Sequence, residues 1–318
     1  MRVMRSEAGN GALTGPSARH FVFAPGGLGR REQPPQYFSS LFLFIGIAYV
    51  AQRYGASTLF SILAVDHPRL RLALEGLRDG SFDIPWDWFF ALTAVSFGTY
   101  ILALALALGL VHGRSLLTVL TDRSRFDWLR AARAFLLYAA LLTAPFFFLL
   151  ATDQVQLALR FDLVSFAKLL LISAAALLIQ TSAEEIFFRG YFVQFMASFT
   201  NSLLVIVGIP SLLFALAHLG NPELAADPGV FGFYFGFGVF MSLTAIRDRG
   251  LELTIGAHFA NNLVTAVLVR TPDSVFQTPT LFLLPDHTVG EAPILGPTLA
   301  PLLFFFLTAI FMRRRGSA

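Results

Sequence analysis

The sequence predicts an all-α protein, a polytopic membrane helix bundle of about eight transmembrane helices. Three observations carry that prediction. The chain is 56% hydrophobic and 14% charged, with a mean hydropathy of +0.67 and 35 Phe among its 318 residues, a surface that calls for lipid rather than water. Its apolar residues gather into stretches near the roughly 20 residues that a helix needs to cross a bilayer core. Its basic residues, 22 Arg and the single Lys168, sit mostly in the tails and in the short segments between those stretches. With a net charge of only +3, that distribution reads as membrane topology and not as a nucleic-acid footprint, so no nucleic-acid partner is expected.

Taken in order, residues 1–35 are rich in Gly, Pro, Ser and Arg, contain Pro34-Pro35, and have no apolar run before Tyr37. They are expected to be a disordered cytoplasmic tail. They lack the apolar core and small-residue cleavage site of a secretory signal peptide. A single transmembrane domain is expected over 36–313, with no internal repeat, and a second short cytoplasmic tail over 314–318. Spans are expected near 37–58, 87–111, 133–151, 163–184 or beyond, 202–219, 229–246, 252–270 and 294–312. Arg53 interrupts the first, and 59–65 is either its continuation or an interfacial piece. Residues 121–135, with Phe126, Trp128 and Leu129 among arginines, read as an amphipathic interfacial helix, and 199–202 reads as a turn.

Orientation follows from the arginines. An even number of spans puts both termini on one side, together with Arg114, Arg123, Arg125, Arg130, Arg133, Arg247 and Arg249, whereas the opposite loops carry Asp153, Asp162, Glu223, Asp227, Asp273, Asp286 and Glu291. The positive-inside rule makes the arginine side cytoplasmic. The expected location is a cell membrane crossed several times, and the high ratio of arginine to lysine points to a bacterial inner membrane. Cysteine is absent, which removes disulfides, thiolate metal sites and a cysteine nucleophile.

Ionisable groups inside apolar spans are costly and mark functional sites by default. Here they are Glu184, Glu185 and Arg189 on one span, His218 on a second, and His258 with Asn262 on a third. On a helix, Glu185 and Arg189 share a face, while Glu184 is turned about 100° away. Arg189 is therefore expected to neutralise Glu185 and to leave Glu184 unpaired, as a general base for a water molecule. Glu184 lies 17 residues before Asn201 and His218 lies 17 after it, so antiparallel arms would bring the two to similar depth with a water between them. His258 and Asn262 are i, i+4 and present two donors side by side, an arrangement able to stabilise an oxyanion.

Each feature also has a plain structural reading. Glu185 and Arg189 taken alone are an ion pair, an isolated intramembrane His is a packing residue, Asn is interhelical glue, and Phe214 is core. Their convergence on three apolar spans is what argues for chemistry. Three other functions compete with hydrolysis. A zinc peptidase lacks His-Glu-x-x-His here, although two His and two Glu form a conceivable ligand set. A proton-coupled transporter also places Glu and His in mid-membrane, but many are built from internal repeats. A catalytically silent scaffold or immunity protein would bind a membrane partner without turnover.

The three motifs Glu184-Glu185-x-x-x-Arg189, Phe214-x-x-x-His218 and His258-x-x-x-Asn262 together resemble the signature of the CPBP intramembrane proteases, also called the ABI or CAAX prenyl protease 2 family. The resemblance covers about 105 residues, 163–268, and leaves 1–160 without a motif. It implies a metal-independent, cofactor-free glutamic endopeptidase whose active site lies within the bilayer. Glu184 would activate water, His218 would help hold it, His258 and Asn262 would form the oxyanion hole, and Glu185 with Arg189 would support them. The partners implied are the lipid bilayer and a protein or peptide substrate whose identity the sequence leaves open. The eukaryotic branch cleaves prenylated CAAX proteins, whereas bacterial members are linked to bacteriocin maturation or immunity.

Overall fold

The computed structural model describes residues 34–71, 74, 84–152, 159, 161–283 and 295–312. Of the tails expected at 1–35 and 314–318, residues 1–33 and 314–318 lie outside the described residues, as do Asp153, Asp286 and Glu291. Eight main helices are described: α1 (34–63), α2 (Trp86–His112), α3 (Trp128–Ala151), α4 (Leu163–Phe199), α5 (Leu203–Ala217), α6 (Val230–Asp248), α7 (Glu252–Val267) and α8 (Leu295–Phe311). Single helical turns at Leu117–Leu120 and Pro222–Ala226 join them, and two short strands, β1 (Val269–Arg270) and β2 (Phe282–Leu283), pair in parallel after α7. Each expected span therefore corresponds to a helix.

Length and hydropathy narrow the expected count of about eight spans. Among the described residues, α2, α3, α4 and α6 are long and apolar enough to cross a membrane, while α5 and the Leu299–Phe311 part of α8 are apolar but shorter. Neither set includes α1, which carries Gln52 and Arg53, or α7, which carries Glu252, His258, Asn261 and Asn262. The outer surface of the bundle is apolar: Phe42, Leu106, Leu136, Leu171, Leu204 and Phe306 all stand exposed. A surface of that kind is a lipid surface, and the chain is a membrane protein.

Two boundaries differ from those expected. Pro34 and Pro35 belong to α1 rather than to a tail, because proline is compatible with the first helical turn, where the backbone N–H has no intrahelical partner. The 121–135 segment is not one amphipathic helix. The Asp127 carboxylate accepts from Arg130 N at 3.0 Å and caps a helix that starts only at Trp128. The residues before it are drawn across the α6–α7 junction by Arg123, which donates to Glu252 at 2.8 Å, and by backbone bonds to Arg249 and Leu251. Residue 53 does not end α1, which passes through a π-helical stretch at Ala51–Ala56 and continues to Leu63.

Helix α7 packs most extensively on α3 and also on α4, α4 packs on α2, and α5 on α6. Small residues allow the closest of these approaches. A Cβ on Gly256 of α7 would strike the Ala131 carbonyl oxygen of α3, and one on Gly238 of α6 would lie 2.9 Å from Ser211 of α5. The turn expected at 199–202 is present: α4 stops at Phe199, Ser202 N donates to Thr200 Oγ1 at 3.0 Å, and α5 runs back alongside the end of α4. These contacts hold α4, α5, α6 and α7 around one buried polar cluster.

Candidate active site

Glu184 and Glu185 are the last residues of the regular part of α4. At Ile186 the helix widens into π-helix, which continues to Phe192 and contains Arg189. Such insertions concentrate at functional sites, where they re-aim side chains. Arg189 Nη1 donates to Glu185 Oε1 at 2.8 Å, and both side chains are buried. The pair expected from the i, i+4 spacing is therefore formed. The Arg189 guanidinium carbon also lies 4.1 Å from the centroid of the Phe214 ring, which gives the cation a second, aromatic partner.

His258, on α7, joins the two carboxylates. Its Nδ1 lies 2.8 Å from Glu185 Oε1, and its Nε2 faces Glu184 Oε2 at 3.6 Å. A carboxylate paired with arginine only accepts, so Nδ1 carries hydrogen and donates to Glu185. Nε2 then donates only when both ring nitrogens carry hydrogen. The ring is held edge-on by Phe237 and Phe214, at centroid distances of 5.0 and 5.9 Å.

Glu184 is not unpaired, which corrects the expectation from its position on the helical wheel. Its Oε1 accepts from Gln180 Nε2 at 2.6 Å, one turn earlier on α4. Its Oε2 is buried and has no hydrogen-bond partner among the described residues. Asn262, one turn beyond His258, donates from Nδ2 to Gln180 Oε1 at 2.9 Å, and its own Oδ1 accepts from Asn261 at 3.0 Å. The structure thus brings Glu184, Glu185, Arg189, His258 and Asn262 into one continuous cluster through Gln180.

His218 also packs on Phe214, next to the same cluster. It caps the C-terminus of α5, its ring centroid is 4.5 Å from that of Phe214, and its Nδ1 lies 2.7 Å from the Phe214 carbonyl oxygen. A carbonyl only accepts, so Nδ1 is the protonated nitrogen and Nε2 of the neutral ring is left as an acceptor. No direct hydrogen bond joins His218 to Glu184 among the described residues. The ring stacks on Tyr234 of α6 at 4.2 Å, and the Tyr234 hydroxyl donates to Glu223 at 2.7 Å.

Sequence reasoning passed over Gln180, Tyr234 and Glu223. Gln180 carries a signal, its i, i+4 relation to Glu184. Tyr234 and Glu223 carry none, because only the folded positions of α5 and α6 bring them to His218. Phe214, read as core, is core and also the common wall that Arg189, His218 and His258 share. Among the described residues, no three His, Asp or Glu side chains are arranged to hold a metal ion.

Comparison with known proteins bears on the same segment. Residues 166–264 match the model of the Rce1-like family, described as type II CAAX prenyl endopeptidase Rce1-like. The resemblance to the CPBP or CAAX proteases that the motifs carry holds over this segment, which contains every residue of the cluster. An uncharacterized protein of Bacillus subtilis (strain 168), YyaK, is 28% identical to the chain over 252 residues, 78% of this chain and 82% of that protein. No solved structure matches the chain.

Proposed function

We propose that this protein is an intramembrane endopeptidase of the glutamic, metal-independent type, which hydrolyses a peptide bond in a membrane-associated protein or peptide. The observation that carries the reading is the placement of Glu184 Oε2: buried, without a hydrogen-bond partner among the described residues, and facing a histidine that a second carboxylate holds. Such an oxygen can take a proton from water. In that step a water O–H bond breaks, the proton goes to Glu184, and the oxygen attacks the carbonyl carbon of the scissile peptide. Asn262 Nδ2, and His258 Nε2 in the form of the ring with hydrogen on both nitrogens, are the donors to the oxyanion that results. When the intermediate collapses, the C–N bond breaks and Glu184 returns its proton to the departing amine. His218 Nε2, as an acceptor, helps to orient the water, and Arg189 fixes Glu185, which fixes His258.

The proposed setting is a cell membrane, with the protein crossing it several times and both termini on the cytoplasmic side. It takes the bilayer and its substrate as partners, nucleic acid plays no part, and no cofactor enters the reaction. The match to a prenyl endopeptidase family makes a farnesylated CAAX peptide the natural first probe, beside lipid-anchored peptides without a prenyl group.

The test uses the full chain in lipid vesicles with both kinds of internally quenched peptide. Wild type should cleave one of them and keep its activity after EDTA and phenanthroline, whereas Glu184→Gln should lose about 10²–10⁴ in rate while staying folded, the usual worth of a positioned base. Wild-type turnover by Glu184→Gln would sink the mechanism. Activity that is lost on chelation and restored by zinc would move Glu184, His218 and His258 into the role of ligands.

A further inference from the structure

The side chain that grips Glu184 belongs to none of the three motifs. Gln180 lies one turn before Glu184 on α4 and donates from Nε2 to Glu184 Oε1 at 2.6 Å. Its carbonyl oxygen accepts from Asn262 Nδ2 of α7 at 2.9 Å, and Asn262 Oδ1 accepts in turn from Asn261 Nδ2 at 3.0 Å. The direction of this chain is set by chemistry. A carboxylate has only acceptors, so the Gln180 amino group must face Glu184 and its carbonyl must face Asn262. A carbonyl also only accepts, so the Asn262 amino group must face Gln180. The two amide orientations are therefore linked to the ionised state of the glutamate.

We propose that Gln180 is a positioning residue of this site, whose amide sets the orientation of the Glu184 carboxylate and of the Asn262 amide as a single unit. The inference rests on the hydrolytic reading above. Three consequences follow from the geometry. With Oε1 engaged by Gln180, the carboxylate is turned so that Oε2 is the atom left to accept from water. With one Asn262 N–H committed to Gln180, the second points elsewhere and is available to an oxyanion. And because Gln180 and Glu184 stand on α4 while Asn262 stands on α7, the same amide sets the spacing between the base and the oxyanion donor. Loss of Gln180 would leave Glu184 free to turn and would remove the acceptor that aligns Asn262.

The full chain in lipid vesicles, with the quenched peptides named above, provides the test. Gln180→Met keeps the length of the side chain and removes both hydrogen bonds. Its kcat should fall about 10- to 100-fold, the range for one hydrogen bond to a charged group, with KM within about twofold of wild type and a melting temperature that is lowered only modestly, so that the protein stays folded at the assay temperature. Gln180→Met combined with Asn262→Ala should lose clearly less than the product of the two single losses, because the part of the Gln180 effect that runs through Asn262 is already gone. An infrared measurement adds a readout that needs no turnover: the carboxylate band that Glu184→Gln removes should shift in Gln180→Met. Wild-type kcat in Gln180→Met, or an unmoved band, would overturn the positioning role while leaving the hydrolytic reading intact. Full turnover by Glu184→Gln would remove the hydrolytic reading, and this inference with it.

Discussion

Arg189 stands inside the bundle with 1% of its side chain exposed, one nitrogen on Glu185 and its guanidinium against the Phe214 ring. Its second terminal nitrogen is buried without a hydrogen-bond partner among the described residues, so the aromatic face supplies much of what water would. Glu185, fully buried, has Arg189 and His258 as its partners through one oxygen. Removing the arginine therefore strands a buried carboxylate, a change that costs about 3–5 kcal/mol in buried ion pairs elsewhere. Removing the Glu184 carboxylate strands no opposite charge, because Gln180 is neutral and His258 keeps Glu185. Arg189→Ala should accordingly lower the melting temperature in detergent clearly more than Glu184→Ala does, and equal values would argue against the pair as a structural brace. At this scale the sequence was legible where two opposite charges lay on the same helix. Glu185 and Arg189 could be paired by spacing alone. The hold of Gln180 on Glu184 is also an i, i+4 relation, but an amide in a span reads as glue until Asn262 of another helix is seen to fix its direction. The neighbours of His218 were not legible at all, since Tyr234 meets it only after α5 and α6 pack.

Between residues and molecule, the helices owe their spacing to glycines more than to charges. Gly256 lets α7 lie against α3 so closely that any Cβ there would meet the Ala131 carbonyl, whereas Gly208 on α5 has open space around it. Because α7 carries both His258 and Asn262, its seating on α3 also sets their reach toward α4. Gly256→Ala should destabilise the protein by about 1–3 kcal/mol through overpacking, while Gly208→Ala should be neutral or stabilise by up to about 1 kcal/mol through helix propensity. Melting curves of the two variants in the same detergent would check this, and a neutral Gly256→Ala would mean that the α3–α7 contact is looser than described. Helix existence was readable from apolar runs, and the 199–202 turn from its polar residues. The π-helical stretch at 186–192 was not readable from residue spacing; within it, Gly190 lies so near the 117–120 turn that a Cβ would be 2.6 Å from the Val119 carbonyl oxygen. The start of α3 was misjudged because Arg123 and Arg130 were read only as arginines of a cytoplasmic, interfacial segment. In the structure both reach Asp248, with Arg130 bidentate at 2.5 and 3.0 Å.

Across the whole molecule, these pairs gather basic residues at one end of α7 and acidic loops at the other. Arg123 and Arg130 meet Asp248 and Glu252 where α6 ends and α7 begins. Glu223 accepts from Val275 N beyond the far end of α7, beside the segment that carries Asp273. The 16 residues of α7 separate the two ends by about 24 Å, close to the roughly 30 Å of a bilayer core. At the first end the carboxylates are buried and already matched, so the arginines left over, Arg125 among them, give that face its positive excess. By the positive-inside rule, the proposed orientation has the Ser124 loop in the cytoplasm and the Asp273 loop outside. Because the chain has no cysteine, a single introduced thiol is a unique reporter, and both Ser124 and Asp273 are exposed. A membrane-impermeant maleimide should label Asp273→Cys in intact spheroplasts and Ser124→Cys only in inverted vesicles. The opposite pattern would reverse the orientation. Labelling of both thiols from one side would mean that α7 does not separate two aqueous faces, and the buried cluster on α4 and α7 would then need to be reached by substrate from a different direction than the membrane plane.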